Sequence, residues 1–260
     1  MNTESEFVAH EPCNNCGSSD ANSRYSDGHA YCFACQTYTP AEGDNYTHIM
    51  NNERVQFLGS AEQLQKRRIS EATNAFYRIY RHGNTLRFPY YDSNGQVVGF
   101  KIKTKSKDFH YEGSSSDTLF GQHLFPTSGK RIVITEGELD AASCYEVMSG
   151  WPMVSLPHGA AAAKKDLQKA IPFLQGYQEI VLFFDNDDAG REAVESASSI
   201  LPAGRVKIAR LDAYKDASDA LQADDKDAIR RAIWDAKPYR PDGIVDGKNL
   251  MSLVTEPTKT

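Results

Sequence analysis

Three features of the 260-residue sequence predict an α+β multidomain chain. Two Cys-x2-Cys pairs lie in the first 35 residues, a lysine-rich hairpin surrounds an Asn-Gly turn, and short apolar runs alternate with helical stretches after residue 131. A chain of this length holds one to three compact units of about 100 to 150 residues each. The 40% hydrophobic and 25% charged fractions are those of a globular protein rather than a fibre or a disordered chain. There is no run of about 18 apolar residues to span a bilayer, and residues 1–10 have neither the basic region nor the apolar core of a signal peptide. A cytoplasmic protein with no membrane partner is expected.

The first unit, residues 1–40, is organised by Cys13, Cys16, Cys32 and Cys35, with fifteen residues between the pairs. In a reducing compartment this spacing is that of a four-thiolate structural zinc site, a zinc ribbon in which one Zn²⁺ supplies folding energy that so small a core cannot. Cys144 stands alone and reads as structural. Four thiolates leave no open coordination position, so the unit binds rather than reacts. Asp27, His29 and Tyr31 alternate along an expected strand, which would offer polar and aromatic tips to base edges. An ordinary surface histidine is the alternative for His29. Residues 41–52 (AEGDNYTHIMNN) read as a linker.

The net charge of −6 is unevenly distributed. Residues 1–52 carry one base and seven acids, residues 53–131 thirteen bases and seven acids, and residues 132–260 fifteen bases and twenty-one acids. A basic middle between acidic flanks suits phosphate binding beside an acidic metal site, and equally an uneven solvated surface. In the basic stretch, 53–130, helices are expected over Ala61–Arg68 and Ser70–Phe76. A hairpin of Leu86–Tyr91 and Gln96–Lys103 is expected around Asp92-Ser93-Asn94-Gly95. Lys101, Lys103, Lys105 and Lys107 alternate, so one face of an extended segment would carry four ammonium groups near Phe100, Ile102 and Phe109. The same stripe suits an edge strand guarded against aggregation.

Beyond Arg131, strands are expected over Arg131–Thr135, Met153–Leu156, Glu179–Phe184 and Val206–Leu211. Helices are expected over Glu138–Met148, Ala161–Ala170, Ala189–Leu201 and Ala217–Ala236. This order implies a mostly parallel sheet over 131–240 with a site at the strands' carboxyl ends, and a tail over 241–260. Glu136 follows the first of these strands, and Asp185-Asn186-Asp187 the third, where alternation puts Asp185 and Asp187 on one side. Converging carboxylates repel unless a cation sits among them, and oxygen ligands suit one or two Mg²⁺ or Mn²⁺ ions and phosphoryl transfer. Asp216 reads as a further ligand or as a helix cap. Lys164 and Lys165 face either phosphates or solvent.

These residues resemble the primase half of the primase-helicases of short-tailed bacteriophages. The resemblance runs through Pro-Cys-Asn-Asn-Cys-Gly-Ser-Ser-Asp at 12–20, Ser26-Asp27-Gly28-His29, Thr135-Glu136-Gly137-Glu138, His158-Gly159-Ala160, Phe184-Asp185-Asn186-Asp187 and Leu201-Pro202-Ala203-Gly204. It implies a zinc-binding template-recognition unit, then a basic subdomain and a toprim catalytic subdomain that together form an RNA polymerase domain. The implied activity is synthesis of short RNA primers from ribonucleoside triphosphates on single-stranded DNA. Glu136, Asp185 and Asp187 become catalytic. Glu136, Asp140, Asp185, Asp187 and Asp216 become Mg²⁺ or Mn²⁺ ligands, His29 a template reader, and Lys101 and Lys107 nucleotide and primer contacts, to which the residue pattern itself adds Asp27 as a template reader and Lys103 as a nucleic-acid contact. A replicative helicase and a DNA polymerase are the implied partners. Ser116 departs from the family, which carries a lysine there, and the sequence has no Gly-x4-Gly-Lys-Ser/Thr phosphate loop of a helicase. A non-enzymatic DNA-binding module of the RecR type is the alternative, and incorporation of nucleotide separates the two.

Overall fold

The computed structural model describes residues 6–14, 17–34, 38–39, 57–106, 108–114 and 117–240. The chain forms two compact units, Met1–Gln56 and Phe57–Thr260. The first is an antiparallel sheet of β1 (Phe7–Glu11), β2 (Asn22–Tyr25), β3 (Ala30–Cys32) and β4 (Tyr38–Thr39), paired in that order. Its buried apolar positions among the described residues are Cys13, Ala30 and Cys32. That is too little surface to hold a fold unaided.

The second unit begins with a turn of 3₁₀ helix at Gln65–Arg67 and a short helix α1 (Glu71–Tyr77). The helix expected over Ala61–Arg68 is reduced to that single turn, because Leu64 bonds back to Ile69 in a tight antiparallel bridge. Ser70 caps α1 by accepting the Thr73 N–H at 3.2 Å, and its hydroxyl donates to Glu146 at 2.7 Å, which ties α1 to the next helix. An antiparallel sheet follows: β5 (Tyr80–His82), β6 (Thr85–Tyr91), β7 (Val97–Lys103) and β8 (Phe109–Gly113). The hairpin between β6 and β7 turns through Asp92, whose carboxylate accepts the Asn94 and Gln96 N–H groups.

The remainder is a five-stranded sheet flanked by helices. Its elements are β9 (Gly129–Thr135), α2 (Glu138–Val147), β10 (Met153–Ser155), α3 (Ala163–Leu174), β11 (Tyr177–Phe183), α4 (Asp188–Ser198), β12 (Val206–Ile208), α5 (Ala217–Gln222), α6 (Lys226–Trp234) and β13 (Lys237–Pro238). The strand order is β10-β9-β11-β12-β13, parallel except for β13. The single helix expected over Ala217–Ala236 is broken into two, with Asp224 in the left-handed region between them and Asp225 capping the second. The β9 side chains alternate between two cores. Val133 packs with Ala142, Leu221 and Ile233 on the α2, α5 and α6 side, while Ile132 and Ile134 pack with Leu167, Leu174 and Val194 on the α3 and α4 side. A sheet covered on both faces buries its strands completely, which is why these runs read as continuously apolar.

Candidate active site

β9 and β11 lie side by side and in register, with Phe183 opposite Thr135, so the residues that follow each strand emerge at one edge. β9 leads outward to β10 while β11 lies on its other side, and at such a reversal a crevice opens beyond the carboxyl ends. Glu136 follows β9, and Asp185 and Asp187 follow β11. Asp140 stands in the first turn of α2. The loop after β12 returns Asp216 to the same edge, held there by the Asn186 N–H to Lys215 carbonyl bond at 2.7 Å and the Asn186 side chain on the Leu211 carbonyl at 2.9 Å.

Asp140, Asp185 and Asp216 each present a carboxylate oxygen, and these lie within 4.8 Å of one another. Asp140 accepts the Ser218 N–H at 3.0 Å, and Asp216 caps α5 by accepting the Asp219 N–H at 2.7 Å. Asp216 is therefore both a helix cap and a member of the cluster. Two glycines permit this packing. A β-carbon on Gly137 would stand 2.8 Å from the Asp140 carboxylate, and one on Gly190 would stand 2.1 Å from the Asp185 carbonyl oxygen.

The cluster is electrostatically unsatisfied. Burial, then the charges of Asp216 and Asp185, hold the Asp140 carboxyl well above the usual carboxylate range. Burial likewise raises Asp185, with Lys215 opposing, and raises Asp216. Glu136 is raised by burial and by Asp185, and its Oε2 atom has no hydrogen-bond partner. Asp187 moves the other way, lowered by the Gly190 N–H and Lys215. Lys215 places its Nζ 3.2 Å from Asp185 and 3.1 Å from Asp187. A half-buried, mutually repelling set of carboxylates with an orphaned oxygen fits a hard divalent cation.

Beside the acids lies a cavity of about 480 Å³ lined by Arg67, Lys103, Phe109, Asp140, Lys215 and Asp216. The Arg67 guanidinium donates to Ser218 Oγ at 2.7 Å, and Lys103 lies over the Phe109 ring at 5.1 Å. A larger cavity of about 770 Å³ shares Arg67 and Lys103 and adds Lys66, Arg81 and Lys105.

The uniform lysine stripe is not observed. Lys101 is buried and pairs with the buried Glu138 at 2.8 Å, where Tyr90 also donates to Glu138 at 2.6 Å. β7 ends at Lys103, so Lys105 falls in an exposed turn, and Lys107 lies outside the described residues, as does Ser116. Lys164 and Lys165 are exposed on α3. The strand expected to carry Asp27, His29 and Tyr31 begins only at Ala30, because Asp27 closes a turn by accepting the His29 N–H at 3.1 Å. His29 instead stacks flat on Tyr25 at 4.3 Å. Cys13 and Cys32 are buried, while Cys16 and Cys35 lie outside the described residues, as do the linker over 41–52 and the tail over 241–260. Sequence reasoning missed Arg67 and Lys215 as site residues. The Lys66-Arg67-Arg68 run and the position of Lys215 next to Asp216 were the available signals.

A family described as Toprim-like matches residues 133–221, the span that holds every acid of the cluster. The DNA helicase/primase of Enterobacteria phage T3 is 40% identical over 97% of this chain, which spans 48% of the T3 protein. The crystal structure of the primase fragment of the bacteriophage T7 primase-helicase is 37% identical, with a TM-score of 0.64, covering 88% of this chain and 100% of that one. The chain belongs to the phage primase-helicase family. Within that family it aligns with the primase fragment and spans about half the length of the T3 helicase/primase. Another T7 structure, 37% identical with a TM-score of 0.64 over 70% of this chain and 93% of that one, shows the lagging-strand DNA polymerase interacting with primase domains bound to an RNA/DNA hybrid and dTTP. Among the described residues, no helix is long and apolar enough to cross a membrane.

Proposed function

We propose that this chain is a DNA primase that joins ribonucleoside triphosphates into short RNA primers on a single-stranded DNA template by metal-dependent nucleotidyl transfer. The observation that carries this reading is the convergence of Asp140, Asp185 and Asp216 within 4.8 Å, beside a cavity walled by Arg67 and Lys103. Glu136, Asp140, Asp185, Asp187 and Asp216 would hold one or two Mg²⁺ or Mn²⁺ ions, which supply activation of the attacking 3′-hydroxyl and neutralisation of the leaving pyrophosphate. Arg67 and Lys103 fix the triphosphate by charge, and Phe109 offers an aromatic face for a base. Lys101 supports this wall from beneath by neutralising Glu138 and donating to the Pro157 carbonyl at 3.0 Å, which holds the loop that carries His158 and Gly159.

In the same reading, residues 1–40 form the template-recognition unit, residues 53–130 the basic subdomain and residues 131–240 the toprim subdomain. Cys13, Cys16, Cys32 and Cys35 would bind one structural Zn²⁺, and the burial of Cys13 and Cys32 in a unit with almost no other core supports this. Asp27 orients His29 for reading a template base, and Lys107 would add a nucleic-acid contact. The T7 assembly supports a DNA polymerase as a partner, and the T3 relative a helicase activity joined to or acting with this chain. The test is to incubate the chain with single-stranded DNAs of varied sequence, Mg²⁺ and labelled ribonucleotides. Short RNAs that start at one template sequence and vanish with chelator are expected. Template binding without any RNA product would refute the reading.

A further inference from the structure

Two of the site's acids, Asp185 and Asp187, share a cation. Lys215 is bonded to Asp185 and Asp187 at once, and the second Asp187 oxygen is taken by the Gly190 N–H at 2.9 Å, so the ammonium is what holds Asp187 toward Asp185. The backbone of Lys215 is pinned, because its carbonyl accepts the Asn186 N–H and the next residue, Asp216, caps α5. Its side chain is not pinned: it is about half exposed (53%) and lines the same cavity as Arg67 and Lys103. A divalent ion among these carboxylates would stand within a few ångströms of the ammonium, and like charges at that distance repel. A flexible four-carbon stem on a fixed backbone lets the ammonium leave the acids and remain in the cavity.

We infer that Lys215 is a built-in counter-cation that positions Asp185 and Asp187 in the metal-free protein, is displaced when a divalent ion binds, and then pairs with the phosphates of the incoming nucleotide. This rests on the metal-dependent reading above and adds to it an exchange of one cation for another. It makes Lys215 a competitor of the metal and a partner of the nucleotide.

The two roles have opposite signs in a binding experiment with the full chain. Free Mn²⁺ is followed by its paramagnetic resonance signal as the ion is titrated into wild type, Lys215→Gln and Lys215→Arg, with circular dichroism confirming the fold. Lys215→Gln, with no charge to displace, is expected to bind Mn²⁺ roughly threefold to tenfold tighter. Lys215→Arg, whose planar fork grips both carboxylates, is expected to bind it more weakly, and carries the test if the Gln variant does not fold. With Mn²⁺ saturating, ATP is expected to bind the Gln variant roughly tenfold more weakly than wild type. Unchanged Mn²⁺ affinity in both variants, or unchanged ATP affinity in Lys215→Gln, overturns the inference while leaving the metal-dependent reading intact. A wild-type chain that binds no Mn²⁺ overturns both.

Discussion

Two charge constellations, one buried and one half-buried, lie close together in the second unit and are built on opposite terms. Around Glu138, the carboxylate receives the Lys101 ammonium and the Tyr90 hydroxyl, and Lys101 spends a second hydrogen bond on the Pro157 carbonyl. Each charge there has its partner. At the carboxyl edge of β9 and β11, the Asp140, Asp185, Asp216 and Glu136 carboxyls are all shifted upward, each by desolvation first and Asp140, Asp185 and Glu136 also by neighbouring carboxylates, and Glu136 has an oxygen with no partner. A satisfied buried pair is architecture, whereas crowded like charges cost stability and persist where a ligand completes them. The difference separates the wall of the cavity from its chemistry.

The largest expected effect lies at the unsatisfied cluster. Asp140→Asn keeps the acceptor for the Ser218 N–H but removes one of the mutually repelling charges. It should raise the melting temperature of the metal-free protein while lowering primer synthesis roughly a thousand-fold, as several kcal/mol of lost transition-state stabilisation implies. A metal-free melting temperature that falls instead would mean that the cluster is not repulsive. Next comes the satisfied pair. Lys101→Met leaves Glu138 buried beside an apolar side chain and should cost about 3 kcal/mol in urea denaturation. A cost near zero would return Lys101 to the role of an exposed phosphate contact.

A smaller effect is expected from pH. His123, stacked on Tyr91 at 3.6 Å, is pushed down to about 4 by burial first and by Arg78 second. Because the unfolded histidine takes up its proton near 6.5, this group stabilises the fold above that value. Its contribution declines as pH falls from about 6.5 toward 4, by about 1 kcal/mol after allowance for its partial exposure. Denaturation of wild type and His123→Phe at pH 7 and pH 5 checks this: the wild type should lose more stability than the variant on acidification. The smallest effect belongs to Lys105→Met, a change in an exposed turn that should stay within about 0.5 kcal/mol of wild type. If it matched Lys101→Met, the contrast between the two lysines would fail.

The acidic edge was legible in the sequence because two signals coincided. An apolar run that ends in a carboxylate fixes both the strand and the direction in which the acid leaves it, so the residue order alone places Glu136 and Asp185 at the edge. Asp140 comes only through the family resemblance, and Asp216 reads from its position after the last strand as either a ligand or a cap, since α2 and an eight-residue return loop carry them in. The lysine stripe misled because alternation reports a strand face but not what covers that face. Glu138, two residues beyond Glu136, is what draws Lys101 inward, and nothing in the Lys101–Lys107 segment announces it. The break between α5 and α6 was missed for a related reason. Asp224 and Asp225 read as ordinary helix residues, while their roles as a left-handed turn and a cap come from folding α6 back against α5 and α2.

What most directly separates a catalytic edge from a merely acidic one is incorporation of a single labelled ribonucleotide onto a short RNA annealed to template DNA, which requires no template search. Wild type with Mg²⁺ should extend the RNA by one residue, and Asp185→Ala, folded by circular dichroism, should be slower by roughly a thousand-fold. Extension by the variant at the wild-type rate, or binding of the hybrid by wild type with no extension, would contradict the assignment of this edge as the catalytic site.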